Sequence, residues 1–535
     1  MIFFHGYSPE AWRGYWKNNL IRENTGIRFC QSLGIAEELK FNNLAKKGGE
    51  LYRLVKENNY PLYVDRLQGG SHIQNYQYDK ALIEEYRNML GERFFGFQMH
   101  EWVSNYRHDV QDKLGEISKE EWNEDNIRKK ILEKYPGRYL FIESMTPGEM
   151  AEAGKPESYG EFYNNITAIY KKRTEEVGEL VPCDSFAPAY GFELSAGTKR
   201  VCPEVGAQTP FARFQICYAR GMTRKPGRSF GVYYEPWGGS PFGTCTYCGN
   251  KNEWGPDADT DSPYKSYGPT GGSSRSLQKR VFLYTYLSNA EFISEEWGMY
   301  NTFTNTENFE LSPYGIVKKE FLDFCDKYDD VGEKLVPAAV VLPKDMMVFS
   351  FSDADDYMMK YEYKCEKNNN ARRGVLDIFD AGVKTQYECA TFRNYVYPDG
   401  IDILNRDDEM TGKYDYLVDL TGDADFKEKH NNIVDAQTLK EKLNEALPCC
   451  VEGDIHWMVN ECTSGGFYLT VFNHSGVTRS VEEGEKVDPE STVTVSVTFK
   501  NGAVPALLEG DAELKCDGDK YLLSVKGGSF GFIRF

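Results

Sequence analysis

The chain has 535 residues, 41% of them hydrophobic and 14% aromatic, with a formal net charge of −20. A single core stops growing near about 250–300 residues, so two or three domains are expected. The acidic balance and the lack of a Lys/Arg block argue against a nucleic-acid partner, and no apolar run reaches the ~18 residues of a membrane span.

Short apolar runs alternate with 3.6-periodic segments through the first part of the chain. The strand-like runs are "IFFHGY" (2–7), "YPLYVDRL" (60–67), "FFGFQMHEW" (94–102) and "RYLFIESM" (138–145), taken as strands one to four. "LVPCDSF" (180–186), "RVCPEVG" (200–206), "SFGVYYEPW" (229–237) and "AEFISEEWG" (290–298) follow as strands five to eight. Helical patterns lie between them at 79–92, 119–135, 158–178 and 209–227, and "SPYGIVKKEFLDFCDKY" (312–328) closes the count. Thr209 as N-cap with Pro210 in the first turn fits helix-start chemistry. Eight strand–helix units predict a (β/α)8 TIM barrel over 1–333, since an open doubly wound sheet would want a Gly-rich fingerprint after strand one. Residues 334–450 mix strand-like runs with the helix "DAQTLKEKLNEAL" (435–447) and read as a small α/β domain. Residues 451–535 alternate with Gly/Asn turns and predict an antiparallel β-sandwich.

The 13 cysteines form no secreted disulfide framework. Cys30, Cys217 and Cys325 sit in apolar patterns, and "CTYC" (Cys245, Cys248) lacks the second pair that a zinc site wants, so neither a metal nor a cofactor is expected. The start "MIFFHGYSPEAW" shows no signal-peptide pattern and points to a cytoplasmic protein, although a removed leader would leave the same start.

Barrel enzymes place reactive groups at the C-terminal ends of their strands. Those ends read His5, Asp65–Arg66, His100–Glu101–Trp102, Glu143, Asp184, Glu204, Glu235–Trp237 and Glu295–Glu296–Trp297. Any one of these acids alone is more simply a salt-bridge partner. Many around one rim, with aromatic platforms, match glycoside hydrolysis, in which one carboxyl protonates the leaving oxygen and the other attacks the anomeric carbon or activates water. Glu143 and Glu235 are the expected pair, with Arg66 helping to keep Glu235 ionised and partial burial raising Glu143. Trp102, Trp237 and Trp297 are expected to line sugar subsites, and His100 to bond a substrate hydroxyl. The Gly- and Tyr-rich insertion from Gly238 to Ser276 is long enough to form a rim over the pocket.

This arrangement resembles the clan A glycoside hydrolases, whose acid/base ends strand four and whose nucleophile ends strand seven. Arg66 and Trp297 match the arginine and aromatic that the clan carries on strands two and eight. The three-part plan resembles family 42 β-galactosidases, and "ELSPYGIVKKEFLDFCDKY…KLVPAAVVLP" (310–342) resembles their passage into the second domain. The resemblance implies a flavodoxin-like second domain, a retaining mechanism, a β-galactosidase-like activity on oligosaccharides or glycans, and self-association through the α/β domain. Ile142 stands where the clan has Asn before the acid, so Glu101, Glu204 and Glu296 are the alternative carboxyls, with Glu101 or Glu204 also suiting an inverting enzyme. Two rival readings are a metal-dependent barrel hydrolase, for which only His5 and His100 offer ligands, and a non-catalytic carbohydrate-binding barrel.

Overall fold

The computed structural model describes the chain except for residues 1, 7–8, 31–39, 66, 68–75, 135–144, 185–187, 207–211, 237–252, 254–271, 297, 306, 345, 347–365, 380–393, 396, 407–408 and 481–483, and it leaves the side chains of 2–10 undescribed. Eight parallel strands close into a barrel in chain order: β1 (Ile2–Gly6), β2 (Thr25–Cys30), β3 (Leu62–Asp65), β4 (Phe94–His100), β5 (Leu180–Asp184), β6 (Arg200–Gly206), β7 (Ser229–Glu235) and β8 (Phe292–Glu295). No described helix is long and apolar enough to cross a membrane.

The strand count differs from the sequence reading at two places. "TGIRFC" is the second barrel strand, hydrogen-bonded between β1 and β3, although its Gly and Arg break the apolar run that marks a buried strand. Arg28 occupies an interior position there, fully buried, because Asp65 on β3 ion-pairs with it at 2.6 Å. The segment expected as strand four, 138–145, falls almost entirely outside the described residues, and β4 at 94–100 bonds directly to β5 at 180–184. The barrel's fourth strand therefore ends at His100 and Glu101.

Side chains alternate across each strand, so parity decides what faces the barrel axis. Tyr63, Phe95, Val181, Cys183, Cys202, Tyr233 and Phe292 form a separate interior cluster, while Val64, Phe97, Leu180, Val201, Val232 and Ile293 pack outward against the helix layer. In β7 this makes Gly231, Tyr233 and Glu235 interior. Gly231 yields its volume to Phe292, whose ring atoms stand 2.2 Å from where a Cβ would be. Helix starts follow side-chain capping: Asp79 caps Lys80–Leu90, Ser312 with Pro313 opens Pro313–Lys327, and Asp435 caps Ala436–Ala446.

Beyond the barrel, a parallel three-stranded sheet joins Ala338–Leu342, Ile401–Asn405 and Tyr416–Asp419. Two antiparallel sheets of four and five strands follow, sharing a core that includes Trp457, Val459, Leu469, Val497 and Leu523. These sheets lean on the barrel through buried polar contacts. Arg220 and Arg224, at the end of one barrel helix, grip Asp402 at 2.7 and 2.6 Å. Nearby, Lys334 bonds Asp399 at 2.8 Å, and His456 lies 2.7 Å from the other oxygen of that carboxylate.

Candidate active site

The mouth at the C-terminal end of the barrel is organised by a bulge in β4. Leu62 pairs with Phe94 but Tyr63 pairs with Gly96, so β4 spends one extra residue there. Gly96 takes φ +84°, and a Cβ on it would stand 2.2 Å from the Glu179 carbonyl oxygen. Such a bulge reverses the side-chain parity of the rest of the strand. Phe95 faces inward before it; Phe97 and Met99 face outward after it, leaving His100 inside.

Glu101 then adopts φ 42° and ψ 34°, a left-handed conformation costing a non-glycine residue about 1–2 kcal/mol. Its N–H donates to the Cys183 carbonyl at 2.6 Å, and its carbonyl accepts from Asn105 at 2.8 Å, starting the helix Trp102–His108. This turn holds the Glu101 carboxylate over the mouth, where Oε2 stands 3.8 Å from His100 Nε2. The same nitrogen lies 3.9 Å from Oε1 of Glu204, an interior residue of β6.

Glu204 is fully buried, and burial pushes its carboxyl well above the ordinary range. Negative charge on Glu235, Glu101 and Glu296 pushes it further in the same direction. Four carboxyls from β4, β6, β7 and the residue after β8 thus share one field. Burial and like charge thus act together to disfavour the charged form of Glu204. Tyr233 completes the floor: its hydroxyl accepts from Arg28 at 2.8 Å, and its ring centroid lies 6.0 Å from that of His100.

Other acids at strand ends belong elsewhere. Asp65 is interior but committed to Arg28. Asp184 has the opposite parity to Cys183 and lies against Ser104 and Glu193; burial first, then the Glu193 charge, raises it, and burial raises Glu193 to about 7. Glu295 points into the helix layer and pairs with buried Lys318. Trp102, expected at a sugar subsite, is fully buried between Tyr170 and Phe192, at centroid separations of 5.0 and 5.7 Å. An indole directly after the left-handed turn falls on the helix face that packs inward, so it anchors the turn.

Glu143, Arg66, Trp237 and Trp297 lie outside the described residues, as do Cys245, Cys248 and almost all of the 238–276 insertion. The sequence reading missed Arg28, because it found no strand at 25–30. It also treated Gly96 as an ordinary strand residue, although a glycine inside a strand is itself a bulge signal.

No protein-family model matches the chain, and no curated protein matches it. Among solved structures, it is similar to GH5_18 from Bifidobacterium longum subsp. longum in complex with Manβ1-4GlcNAc, at 9% identity and a TM-score of 0.39, covering 78% of this chain and 96% of that one. An α-amylase from H. orenii aligns at 7% identity and a TM-score of 0.27, over 85% of this chain and 63% of that one. Endo-glycoceramidase II from Rhodococcus sp., in a cellobiose-like isofagomine complex, aligns at 10% identity and a TM-score of 0.18, over 95% and 96%.

Proposed function

We propose that the protein is a glycoside hydrolase acting through carboxyls at the ends of β4 and β7, with Glu101 as acid/base and Glu235 as nucleophile. The observation that carries this reading is the convergence of Glu101, Glu204, Glu235 and Glu296 on one mouth, where burial and the neighbouring charges raise Glu204. Glu204 hydrogen-bonds with Glu235 and lies in its charge field, which sets the two carboxyls side by side on β6 and β7. The left-handed turn keeps Glu101 partly exposed, as a proton donor to a leaving group must be.

The clan A resemblance transfers to the barrel's own numbering: β4 supplies the acid and β7 the nucleophile, with His100 in place of the clan's Asn. The role expected for Glu143 passes to Glu101 because β4 is the fourth strand. The reading extends to an oligosaccharide or glycan substrate, a retaining outcome and a β-galactosidase-like activity. It also takes 334–450 as a flavodoxin-like domain and 451–535 as a β-sandwich domain. A second reading makes Glu204 the acid of an inverting enzyme, favoured by its raised affinity for a proton.

The test is hydrolysis of a panel of nitrophenyl glycosides and natural oligosaccharides by the full chain and four variants. Glu235→Gln should lose at least ~10²-fold in kcat/KM on every substrate turned over. Glu101→Gln should spare activated nitrophenyl leaving groups and lose ~10²–10⁴-fold on natural ones, because a good leaving group needs little protonation. Glu143→Gln should retain activity. Undiminished hydrolysis by Glu235→Gln would end the reading, and a leaving-group-dependent loss in Glu204→Gln but not Glu101→Gln would establish the second one.

A further inference from the structure

We propose that His100, Cys183 and Glu204 form a binding site for a soft divalent cation of the zinc class on the floor of the barrel mouth. The three residues stand on the adjacent strands β4, β5 and β6, and each has interior parity. His100 and Cys183 are direct register partners, and Cys183 pairs in turn with Cys202, two residues before Glu204. One donor atom from each of the three lies within 4.8 Å of the others. His100 Nε2 and Glu204 Oε1 are already 3.9 Å apart.

Zinc bonds of about 2.3 Å to sulfur and 2.0–2.2 Å to nitrogen and oxygen put tetrahedral donors roughly 3.3–3.7 Å apart. The side chains need to close by at most about 1.5 Å to meet that spacing. The strands that carry them are hydrogen-bonded, so the backbone holds the donors in place before any ion arrives. Glu101 Oε2 lies 3.8 Å from His100 Nε2, next to this cluster. One thiolate, one imidazole and one carboxylate form a donor set suited to zinc or cobalt and poorly suited to magnesium or calcium, which take oxygen ligands, and binding displaces the protons of Cys183 and Glu204. The bulge at Gly96 serves this site too, since without it His100 would face the helix layer.

The proposal stands on the barrel floor and does not depend on glycosidase activity, so it is tested without a hydrolysis readout. The full chain, treated with EDTA and desalted, is titrated with Co²⁺ while absorbance and metal-to-protein ratio are followed. Expected are one Co²⁺ per chain and a thiolate-to-cobalt charge-transfer band in the near ultraviolet, both displaced by Zn²⁺. Cys183→Ser should abolish the band and weaken binding more than tenfold. A Cys245→Ser/Cys248→Ser double variant should keep both, which separates this site from the CTYC pair. Should Cys183→Ser fail to fold, His100→Gln serves instead, with the same loss of affinity expected. No bound Co²⁺, binding without the band, a band unchanged in Cys183→Ser, or undiminished Co²⁺ affinity in His100→Gln would overturn the proposal.

Discussion

Replacing His456 by Gln should flatten the acid side of the stability profile. His456 is buried at the seam between the barrel and the C-terminal sheets. Its Nε2 is 2.7 Å from Asp399 and its Nδ1 is 2.8 Å from Nε2 of His474. On the other side, Arg280 donates to Nδ1 of His474. The chain of donors has one consistent order: Arg280 gives to His474, His474 to His456, and His456 to Asp399, with both imidazoles neutral. A proton added to either ring sets one N–H against another. Burial lowers His456 from 6.5 to about 4 against the opposing pull of Asp399, with Arg213 and Lys334 adding positive charge; burial and Arg280 lower His474 further.

The sign follows directly. Between pH 6.5 and about 4 the unfolded chain binds a proton at His456 that the folded chain refuses, so stability is intact above pH 6.5 and falls as the solution is acidified. One site contributes about 1.4 kcal/mol per pH unit, or about 2 kcal/mol between pH 7 and pH 5. Urea unfolding of wild type and His456→Gln at several pH values, followed by tryptophan emission, measures the difference in slope. Identical slopes for the two proteins would refute the argument, whatever their relative stability at pH 7.

Three further perturbations probe the elements that build the mouth. Gly96→Ala sets a Cβ 2.2 Å from the Glu179 carbonyl at φ +84°, and should cost roughly 1–3 kcal/mol in urea unfolding and lower kcat/KM by displacing His100 and Glu101. Arg28→Met strands the buried Asp65 charge and should destabilise by about 3–5 kcal/mol, with Asp65→Asn in the same chain recovering much of the loss. Trp102→Ala should cost about 3–5 kcal/mol, while Trp102→Phe keeps KM unchanged; a raised KM in the Phe variant would return this indole to the sugar site.

Where the code is local, the sequence could be read almost to the residue. The helix expected at 435–447 runs Ala436–Ala446 behind its Asp435 cap, and that at 312–328 runs Pro313–Lys327 behind Ser312. Seven of the eight barrel strands announce themselves as apolar runs. The exception, Thr25–Cys30, hides because the justification for its buried Arg28 lies 37 positions downstream in Asp65, a pairing that no window of the sequence contains. Missing that strand displaces 62–65 and 94–100 by one place, and the run at 138–145 fills the gap in the reading, so that the numbering agrees again from β5 onward. In the structure's own numbering, the carboxyl that follows the fourth strand is Glu101. Trp102 failed differently: an indole after a carboxylate is the same string whether it stacks on a sugar or anchors a helix, and only the turn angle at Glu101 separates the two.

Parity also explains why the rim carries so many acids without the charge density that the sequence alone implies. Asp184 and Glu295 sit on the outward beat of their strands, where Lys318 pairs with Glu295, and burial first, then the Glu193 charge, raises Asp184. Asp65 sits on the inward beat but spends its charge on Arg28. Among the described residues, the remaining strand-end acids at the mouth are Glu101, Glu204, Glu235 and Glu296, and burial raises Glu204 most of all. Depth in the barrel and one glycine that flips a strand therefore make neighbouring carboxyls unequal, with the deepest, Glu204, disfavoured in its charged form. The proposed two-carboxylate reading rests on that inequality.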